Sequence, residues 1–320
     1  MESLTFQNGG FTMERNGIEL AEKILAPVID PALPVGEELA AIADYDTAKQ
    51  GEFVYKYTSE DTTGDVLLTI DGDGTVTPVK RSPKAPTLVS FTGYQTPLDY
   101  VLIEEILPTP DQATLARRKD SHVRALDKKE LKNAIDLILA ASAQEVVQGS
   151  ADDIYMVIEA MIAKVEAYGT DGVLLVGTDV FRAIRKYDRA NVDTFHYKVS
   201  IKELLADSGI ELMKIAQEAT VSIDGGSQTA VLAADKAVLV MRNSKINEGK
   251  PLSFVRRQID AATAAKMGIE VDNAYRASAV QQMPVPKGDG SIVAGYGIWM
   301  YESVVTVLKS SRLVCFAVIS

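Results

Sequence analysis

Apolar residues recur at helical spacing between residues 126 and 187, and this pattern is the clearest structural signal in the chain. Asp127, with Glu130 three residues later, has the spacing of a helix N-cap and its capping box. An apolar stripe follows at positions that share one side of a helix. Its members are Leu131, Ala134, Ile135, Ile138 and Leu139. The pattern therefore predicts a long helix that begins at Asp127 and buries one face.

A second helix is predicted after the break at residues 148–150, where Ser150 and Asp153 provide the N-terminal signals. Its apolar positions repeat at i, i+3, i+4 and i+7. They are Ile154, Val157, Ile158, Met161, Ile162 and Val165. The apolar run at residues 173–176 then predicts a buried strand, and Thr178 caps a third helix over residues 179–187. This region is thus predicted as helix, helix, strand, helix.

This order of elements resembles the central region of the major capsid proteins of tailed double-stranded DNA bacteriophages, which have the Hong Kong 97-type fold. The segment DGVLLVGTDVFRAIRKYD at residues 171–188 carries the resemblance most directly, as a buried strand, a turn and a short helix. In that family a long spine helix crosses a peripheral domain, and a second helix leads into an axial domain. The resemblance covers residues 51–320 and implies an α+β fold.

The resemblance also implies a division of the chain into an arm, a loop and two domains. The expected parts are an N-terminal arm at 1–50, an extended hairpin loop with a peripheral strand at 51–108, the spine helix and the following helix at 109–168, the axial domain at 169–252, and the return to the peripheral domain with the C-terminal strands at 253–320. In the family such arms embrace adjacent subunits. Residues 1–16 are polar and contain glycines, so a frayed terminus is the alternative.

A β-hairpin is predicted at residues 65–80, around the turn sequence at residues 71–74. Two strands alone are only marginally stable in water, so this hairpin needs a surface to pack on. The resemblance implies the extended loop that lies over a neighbouring subunit, and the alternative is an ordinary surface hairpin on an α+β enzyme. The turn resembles a calcium loop, but Val76 replaces the turn glycine and Ser82 the bidentate glutamate, so no calcium site is predicted.

The remaining pattern is mostly strand-like. We expect a short helix at 18–24, strands at 53–57 and within 88–107, a polar linker at 111–124, a helix at 201–206, strands at 211–215 and within 229–241, and strands at 254–258, 275–281, 304–308 and 313–319. Residues 284–290 are predicted as a turn-rich loop. The aromatic segment 298–301 is expected to form a strand that pairs beside residues 304–308.

Composition and charge exclude some classes of protein. The chain has 320 residues, enough for one domain or two closely packed ones, and 47% of them are hydrophobic. Its net charge of −11 disfavours a nucleic-acid-binding surface, whereas an acidic shell wall would not adsorb packaged DNA. Arg117, Arg118 and Lys119 form a short basic run, which we interpret as a solvated face or an inter-subunit salt bridge. Neither a signal peptide nor a membrane span is predicted.

Candidate catalytic groups are scarce. The single cysteine, Cys315, lies in an apolar run and is predicted to be buried and inert. His122 and His196 are far apart and do not have the spacing of a zinc site. No nucleophile elbow, phosphate-binding loop or dinucleotide-binding glycine motif occurs. We therefore predict no catalytic residues, no cofactor and no metal site.

The resemblance implies a structural function. We expect a major capsid protein, located in the virion capsid and assembled in the host cytoplasm, that forms hexamers and pentamers of an icosahedral shell around double-stranded DNA without sequence-specific binding. The stretch before the hairpin is too short for a fused scaffolding segment, so a separate scaffolding protein is expected, together with a portal. Some family members cross-link a lysine to an asparagine, but Lys80 and Lys84 have no matching asparagine motif. The alternatives are an encapsulin-like compartment and an α/β enzyme with a site formed by scattered carboxylates.

Overall fold

The structure is a computed structural model that describes residues 5–7, 10–12, 37–57, 86–102, 112–140, 147–192, 199–216, 219–222, 226–244, 249–267, 275–288 and 290–320. The helices of these residues are α1 (Glu37–Ile42), α2 (Gln112–Ala140), α3 (Ile154–Val165), α4 (Thr178–Val192), α5 (Ile201–Asp207) and α6 (Ala261–Met267), with 3-10 turns at Ala151–Asp153 and Ser311–Leu313. The strands are β1 (Thr5–Gln7), β2 (Gly10–Thr12), β3 (Ala43–Ala48), β4 (Val54–Tyr57), β5 (Thr87–Ser90), β6 (Thr92–Gln95), β7 (Asp99–Leu102), β8 (Val147–Gly149), β9 (Gly169–Val176), β10 (Ile210–Lys214), β11 (Thr220–Val221), β12 (Thr229–Ala230), β13 (Lys236–Ser244), β14 (Leu252–Arg257), β15 (Arg276–Pro286), β16 (Ile292–Leu308) and β17 (Val314–Ile319).

Two larger sheets organise the described chain. One is five-stranded with the order β10-β9-β13-β17-β8, in which β13 runs antiparallel to both of its neighbours. The other is six-stranded and built around β16. Strand β15 pairs with residues 292–302 of β16, and β14 pairs with residues 304–308 further along the same edge. Strands β6 and β7 pair with residues 301–304 and 295–298 on the opposite edge. Strand β3 extends this sheet parallel to β14.

The three central strands of the five-stranded sheet, β9, β13 and β17, are buried on both faces because their side chains alternate between two layers of core. In β9, Leu174 and Val176 face the helices α3, α4 and α5, whereas Val173 and Leu175 face α1, α2 and the second sheet. The same alternation continues in β13 and β17. Helix α2 therefore lies on the far side of the five-stranded sheet from α3, α4 and α5.

The prediction of a long helix is correct, but its predicted start at Asp127 is wrong. Helix α2 begins at Gln112, so most of the polar segment expected to be a linker is helical. Leu131, Ala134, Ile135 and Ile138 are buried as predicted. In the segment before Asp127, His122 and Leu126 are buried, and Arg118 forms an ion pair with Asp99. Asp127 caps nothing and instead accepts a hydrogen bond from Arg276 at 2.7 Å.

The predicted elements that follow are confirmed. The Ser150 side chain accepts a hydrogen bond from the backbone N–H of Asp152 in the 3-10 turn that leads into α3. The six apolar residues predicted for the inner face of α3 are all buried. Strand β9 contains the predicted run at 173–176 and starts earlier, at Gly169. Helix α4 includes Thr178 and continues to Val192, beyond the predicted end. The prediction that Thr178 caps this helix is wrong, because its Oγ1 has no hydrogen-bond partner among the described residues and the backbone N–H groups of Asp179 and Val180 donate to the Ala234 oxygen.

The C-terminal strands differ from the prediction in three ways. Residues 298–301 and 304–308 belong to the single strand β16, so they cannot pair with each other. The polar residues Glu302 and Ser303, which made the pattern look interrupted, are buried within that strand. The predicted loop at 284–290 is shorter because β15 extends to Pro286. Strand β17 joins β13 and β8 in the five-stranded sheet and does not return to the sheet of β14, β15 and β16.

Part of the predicted arm is packed into the subunit. Leu39 and Ile42 of α1 and Ala43 of β3 are buried against α2 and the second sheet. The helix predicted at 18–24, the hairpin predicted at 65–80 (with its rejected calcium loop and Lys80), Lys84 and His196 lie outside the described residues. The division into arm, loop and two domains remains a prediction.

Candidate functional site

A cluster of buried charges joins α2 to three strands of the six-stranded sheet. Arg256 of β14 is fully buried and forms a two-point ion pair with Glu130 of α2. Its Nε donates to Glu130 Oε1 at 3.1 Å, and its Nη2 donates to Oε2 at 3.2 Å. The guanidinium also lies beside the rings of Tyr45 and Phe254, which contact each other, at 5.8 and 5.6 Å from their centroids. Arg256 is therefore fixed by both charge and aromatic contacts.

Arg276 of β15 connects the other members of the cluster. Its Nε donates to Glu302 Oε2 of β16 at 2.7 Å, and its Nη1 donates to Asp127 Oδ1 of α2 at 2.7 Å. Its Nη2 lies 3.1 Å from Glu130 Oε1. Because Glu130 and Glu302 are fully buried, the pairs that Arg276 forms with them are shielded from solvent, whereas Asp127 is partly exposed. We call these five residues, Asp127, Glu130, Arg256, Arg276 and Glu302, the buried charge cluster.

The cluster contains three carboxyl groups and two guanidinium groups, and this imbalance affects its protonation. Burial raises the pKa of Glu130 well above its usual value, the charge of Glu302 raises it further, and the two arginines oppose the shift. A proton on Glu130 leaves two positive and two negative groups in the cluster. It also allows Glu130 to donate to Glu302, whose Oε1 has no hydrogen-bond partner among the described residues. A neutral Glu130 is thus the form that balances the buried charge.

Strands β4 and β5 form a two-stranded ribbon that packs on the six-stranded sheet. Its inner side chains, Tyr55, Tyr57, Val89 and Phe91, contact Ala48, Val255, Val305 and Val307. The Tyr55 hydroxyl donates to Asp46 Oδ2 at 3.1 Å. The ribbon is therefore anchored to its own subunit through one face.

The outer face of the ribbon is exposed and partly apolar. Leu88 is 59% exposed, and Val54 is exposed together with Lys56 and Ser90. Phe53, which precedes β4, is 72% exposed and lies beside the guanidinium of Arg257. Val54 lies opposite Ser90 and Leu88 lies opposite Lys56, so the outward side chains of the two strands lie next to one another. Leu98 and Tyr100, next to and within β7, are also exposed. An adjacent group of large exposed apolar residues is typical of a contact surface.

One residue of the basic run on α2, Arg118, is paired within its own subunit. Arg118 Nη1 donates to Asp99 Oδ1 at 3.1 Å and to the backbone oxygen of Tyr100 at 2.7 Å. The interpretation of this run as a solvated face or an inter-subunit salt bridge is therefore wrong for Arg118. His122 Nε2 lies 3.8 Å from Asp99 Oδ2, and burial lowers the pKa of His122. His122 thus lies at the contact between α2 and β7.

Cys315 is buried as predicted, with burial raising the pKa of its thiol. Among the described residues, no three His, Cys, Asp or Glu side chains are grouped as possible metal ligands. No helix in the described part of the chain is both long and apolar enough to span a membrane.

The buried charge cluster is not predicted from the sequence. The pattern assigns Glu130 to a helix cap, Arg256 and Arg276 to ordinary strands, and Glu302 to the break between two strands. The available signal was their position: Arg256 follows the buried run at residues 252–255, and Glu302 lies within a long apolar stretch. A charged side chain in such surroundings needs a buried partner.

Comparisons with known proteins identify the fold. No protein-family model matches the sequence, and no curated protein does. Among solved structures, the bacteriophage PhiM1 mature capsid matches with a TM-score of 0.52 at 11% identity, over 91% of this chain and 90% of that chain. A virus-like particle from Pyrococcus furiosus matches with a TM-score of 0.48 at 11% identity, over 95% of this chain and 98% of that chain. The SrpI encapsulin complex from Synechococcus elongatus matches with a TM-score of 0.46 at 11% identity, over 93% of each chain. The PhiM1 match confirms the expected α+β, Hong Kong 97-type capsid fold.

Proposed function

We propose that this chain is the structural subunit of an icosahedral capsid, and that copies of it assemble as hexamers and pentamers around double-stranded DNA. The observation that supports this most is the fold, which the chain shares over 91% of its length with the PhiM1 mature capsid. We propose no catalytic activity for the chain.

The interior of the subunit suits a load-bearing role. Helix α2 contacts both large sheets, and the buried charge cluster fixes its position relative to β14, β15 and β16. Buried ion pairs contribute little net stability compared with apolar packing, but they penalise any displacement that separates the partners. A subunit with such a cluster resists sliding of the helix along the sheet.

The outer face of the β4–β5 ribbon is the contact surface that we assign to a neighbouring subunit. Its inner face is already packed on the six-stranded sheet, so its exposed apolar side chains are available to another chain. The two strands flank the predicted hairpin segment in the sequence, so a contact made by that segment acts on the subunit through the ribbon.

The proposal also includes the remaining expectations from the sequence. These are a separate scaffolding protein, a portal, non-specific enclosure of DNA, assembly in the host cytoplasm and a final location in the virion capsid. The acidic net charge supports enclosure without adsorption, because an acidic wall repels the phosphate backbone.

The test replaces residues 69–76 of the predicted hairpin with a short Gly-Ser linker. We expect the melting temperature of the unassembled subunit to change little, because the ribbon keeps its own inner packing. We expect electron microscopy to show shells for the wild type and none, or malformed ones, for the variant. Nucleic acid in the wild-type shells distinguishes a capsid from a compartment that encloses protein.

Two matched variants serve as controls. A Gly-Ser replacement of the surface loop at residues 287–290 should leave both folding and shells intact. Leu88→Asp on the outer face should impair shells without lowering the melting temperature, whereas Val89→Asp on the inner face should lower it. Wild-type protein that stays a small monodisperse particle, or hairpin-less protein that forms normal shells, would count against the proposal.

A further inference from the structure

Helix α4 has a strip of basic side chains on its exposed face. Arg182, Arg185, Lys186 and Arg189 follow one another at i, i+3, i+4 and i+7, and all four are exposed. The opposite face of the helix is apolar and packs on the five-stranded sheet through Val180, Ala183 and Ile184. We call these four residues the basic strip. It is unusual in a chain with a net charge of −11.

Helix α3, next to α4, has a strip of the opposite charge. The two helices lie on the same face of the sheet, and the rings of Tyr155 and Tyr187 stack between them with centroids 5.5 Å apart. The outward residues at the start of α3 and in the turn before it are Asp152, Asp153, Met156 and Glu159, which we call the acidic strip. Met156 is 62% exposed, so this strip also has an apolar centre.

The two strips neutralise each other only in part within one subunit. Lys186 pairs with Asp152 at 3.2 Å, and Arg182 pairs with Asp179 of its own helix at 3.0 Å. Among the described residues, Arg185 and Arg189 have no ion-pair partner, and the same holds for Asp153 and Glu159. Each strip thus has two charges that remain available to another molecule.

The nature of these charges favours a protein partner over a nucleic acid. Two unpaired guanidinium groups are few for binding a phosphate backbone, since each phosphate contact contributes separately to affinity. The acidic strip alongside would also repel that backbone. An acidic protein surface with exposed carboxylates is the better match, because guanidinium and carboxylate groups pair at two points.

We propose that the basic strip of one copy of this chain binds the acidic strip of a second copy. Arg185 and Arg189 lie four residues apart, and Asp153 and Glu159 lie six apart, so both pairs span one to two helical turns of about 5.4 Å each. Met156 adds an apolar contact that adapts to the facing surface. The inference rests on the proposed self-assembly and assigns one of its contacts.

The experiment compares shell assembly of the full chain, by light scattering and electron microscopy, for two charge-reversed variants and their combination. Arg185→Glu with Arg189→Glu should raise the concentration needed for half-assembly at low salt by at least about tenfold, since several exposed ion pairs are lost and replaced by repulsion. Asp153→Lys with Glu159→Lys should cause a similar defect. The four substitutions together should restore assembly.

The design separates a specific contact from an effect of net charge. Asp153→Lys with Glu159→Lys makes the chain less acidic, so it would improve assembly if only overall repulsion mattered. Lys202→Glu with Lys266→Glu is the matched control for the arginine variant, because both lysines are exposed and lie outside the two strips. Normal assembly of both reversed variants, or no rescue by the combination, would overturn the inference alone. Wild-type protein that forms no shells would overturn the proposed function instead. Shells of normal yield that lose enclosed nucleic acid in the arginine variant would assign the strip to a nucleic acid and refute the contact between copies.

Discussion

The buried charge cluster leads to a prediction about Glu130 that can be worked out from the structure. Replacing Glu130 with Leu leaves Arg256 fully buried without its two-point partner and takes one carboxylate from Arg276. Leaving the buried charge of Arg256 without its hydrogen-bond partner costs about 3–5 kcal/mol. Since domains are typically stable by about 5–15 kcal/mol, we expect Glu130→Leu to unfold at much lower denaturant concentration or to be insoluble.

Glu130→Gln is the more informative substitution because it preserves shape and removes only the titration. Burial and the charge of Glu302 raise the pKa of Glu130 well above its usual value. For a carboxyl group with a raised folded-state pKa, the unfolded chain loses its proton first as the pH increases. Wild-type stability therefore falls as pH rises from the unfolded pKa of about 4.5 to the folded pKa, and then levels off. The Glu130→Gln variant does not lose stability in this way, because its side chain at residue 130 does not titrate.

The assay is urea unfolding of the unassembled wild type and Glu130→Gln over a pH series from about 5 to about 8. Asp127, Arg256, Arg276 and Glu302, which face Glu130 from α2, β14, β15 and β16, are present in both proteins, so the difference in free energy of unfolding isolates Glu130. We expect the free energy of unfolding of Glu130→Gln to increase relative to that of the wild type as the pH rises. The increase should be at most about 1.4 kcal/mol per pH unit between the unfolded and folded pKa values of Glu130. The opposite slope would mean that the arginines hold Glu130 ionised, and it would refute the charge balance assigned to the cluster.

Three further predictions concern the core. A thiol reagent should label Cys315 slowly in the native protein and quickly in urea, and equal rates would indicate an exposed thiol. Ile135→Asp and Ile158→Asp should each abolish soluble folding, because each places a charge at a fully buried position at a cost of several kcal/mol, about 3 or more; normal melting of both would show that the core is misassigned. Gly177→Ala should lower the melting temperature, because its new Cβ would lie 2.3 Å from a backbone oxygen, whereas Gly288→Ala has open space and should not.

Apolar periodicity predicted the parts of the fold that are held by apolar contacts. All six residues assigned to the inner face of α3 are buried, and so is the run assigned to β9. Apolar periodicity does not predict the sheet to which a strand belongs, because strand pairing depends on contacts between distant segments. Strand β17 is apolar and was predicted as a strand, yet nothing in its residues indicates that it pairs with β13.

The start of α2 was misplaced because capping residues and buried ionic residues have the same local appearance. An acid followed three residues later by a glutamate is a good helix start when the side chains reach free backbone N–H groups. In α2 the same two acids reach arginines on β14 and β15, one of them 126 residues away. Whether the acids cap a helix or form buried ion pairs depends on where the arginines lie in space. The periodicity of apolar residues gives no information about that position.

The error in β16 has the same origin. A glutamate and a serine within an apolar stretch indicate a turn when the segment is considered alone, because an unpaired buried carboxylate is costly. Arg276 removes that cost, since it lies directly opposite Glu302 in the β15–β16 pair and donates to it at 2.7 Å. The long strand can therefore continue through a charged residue, and it pairs with β15, β14, β6 and β7 in one sheet. The buried ion pairs, which the sequence pattern does not predict, thus account both for the length of the central strand and for the attachment of α2 to it.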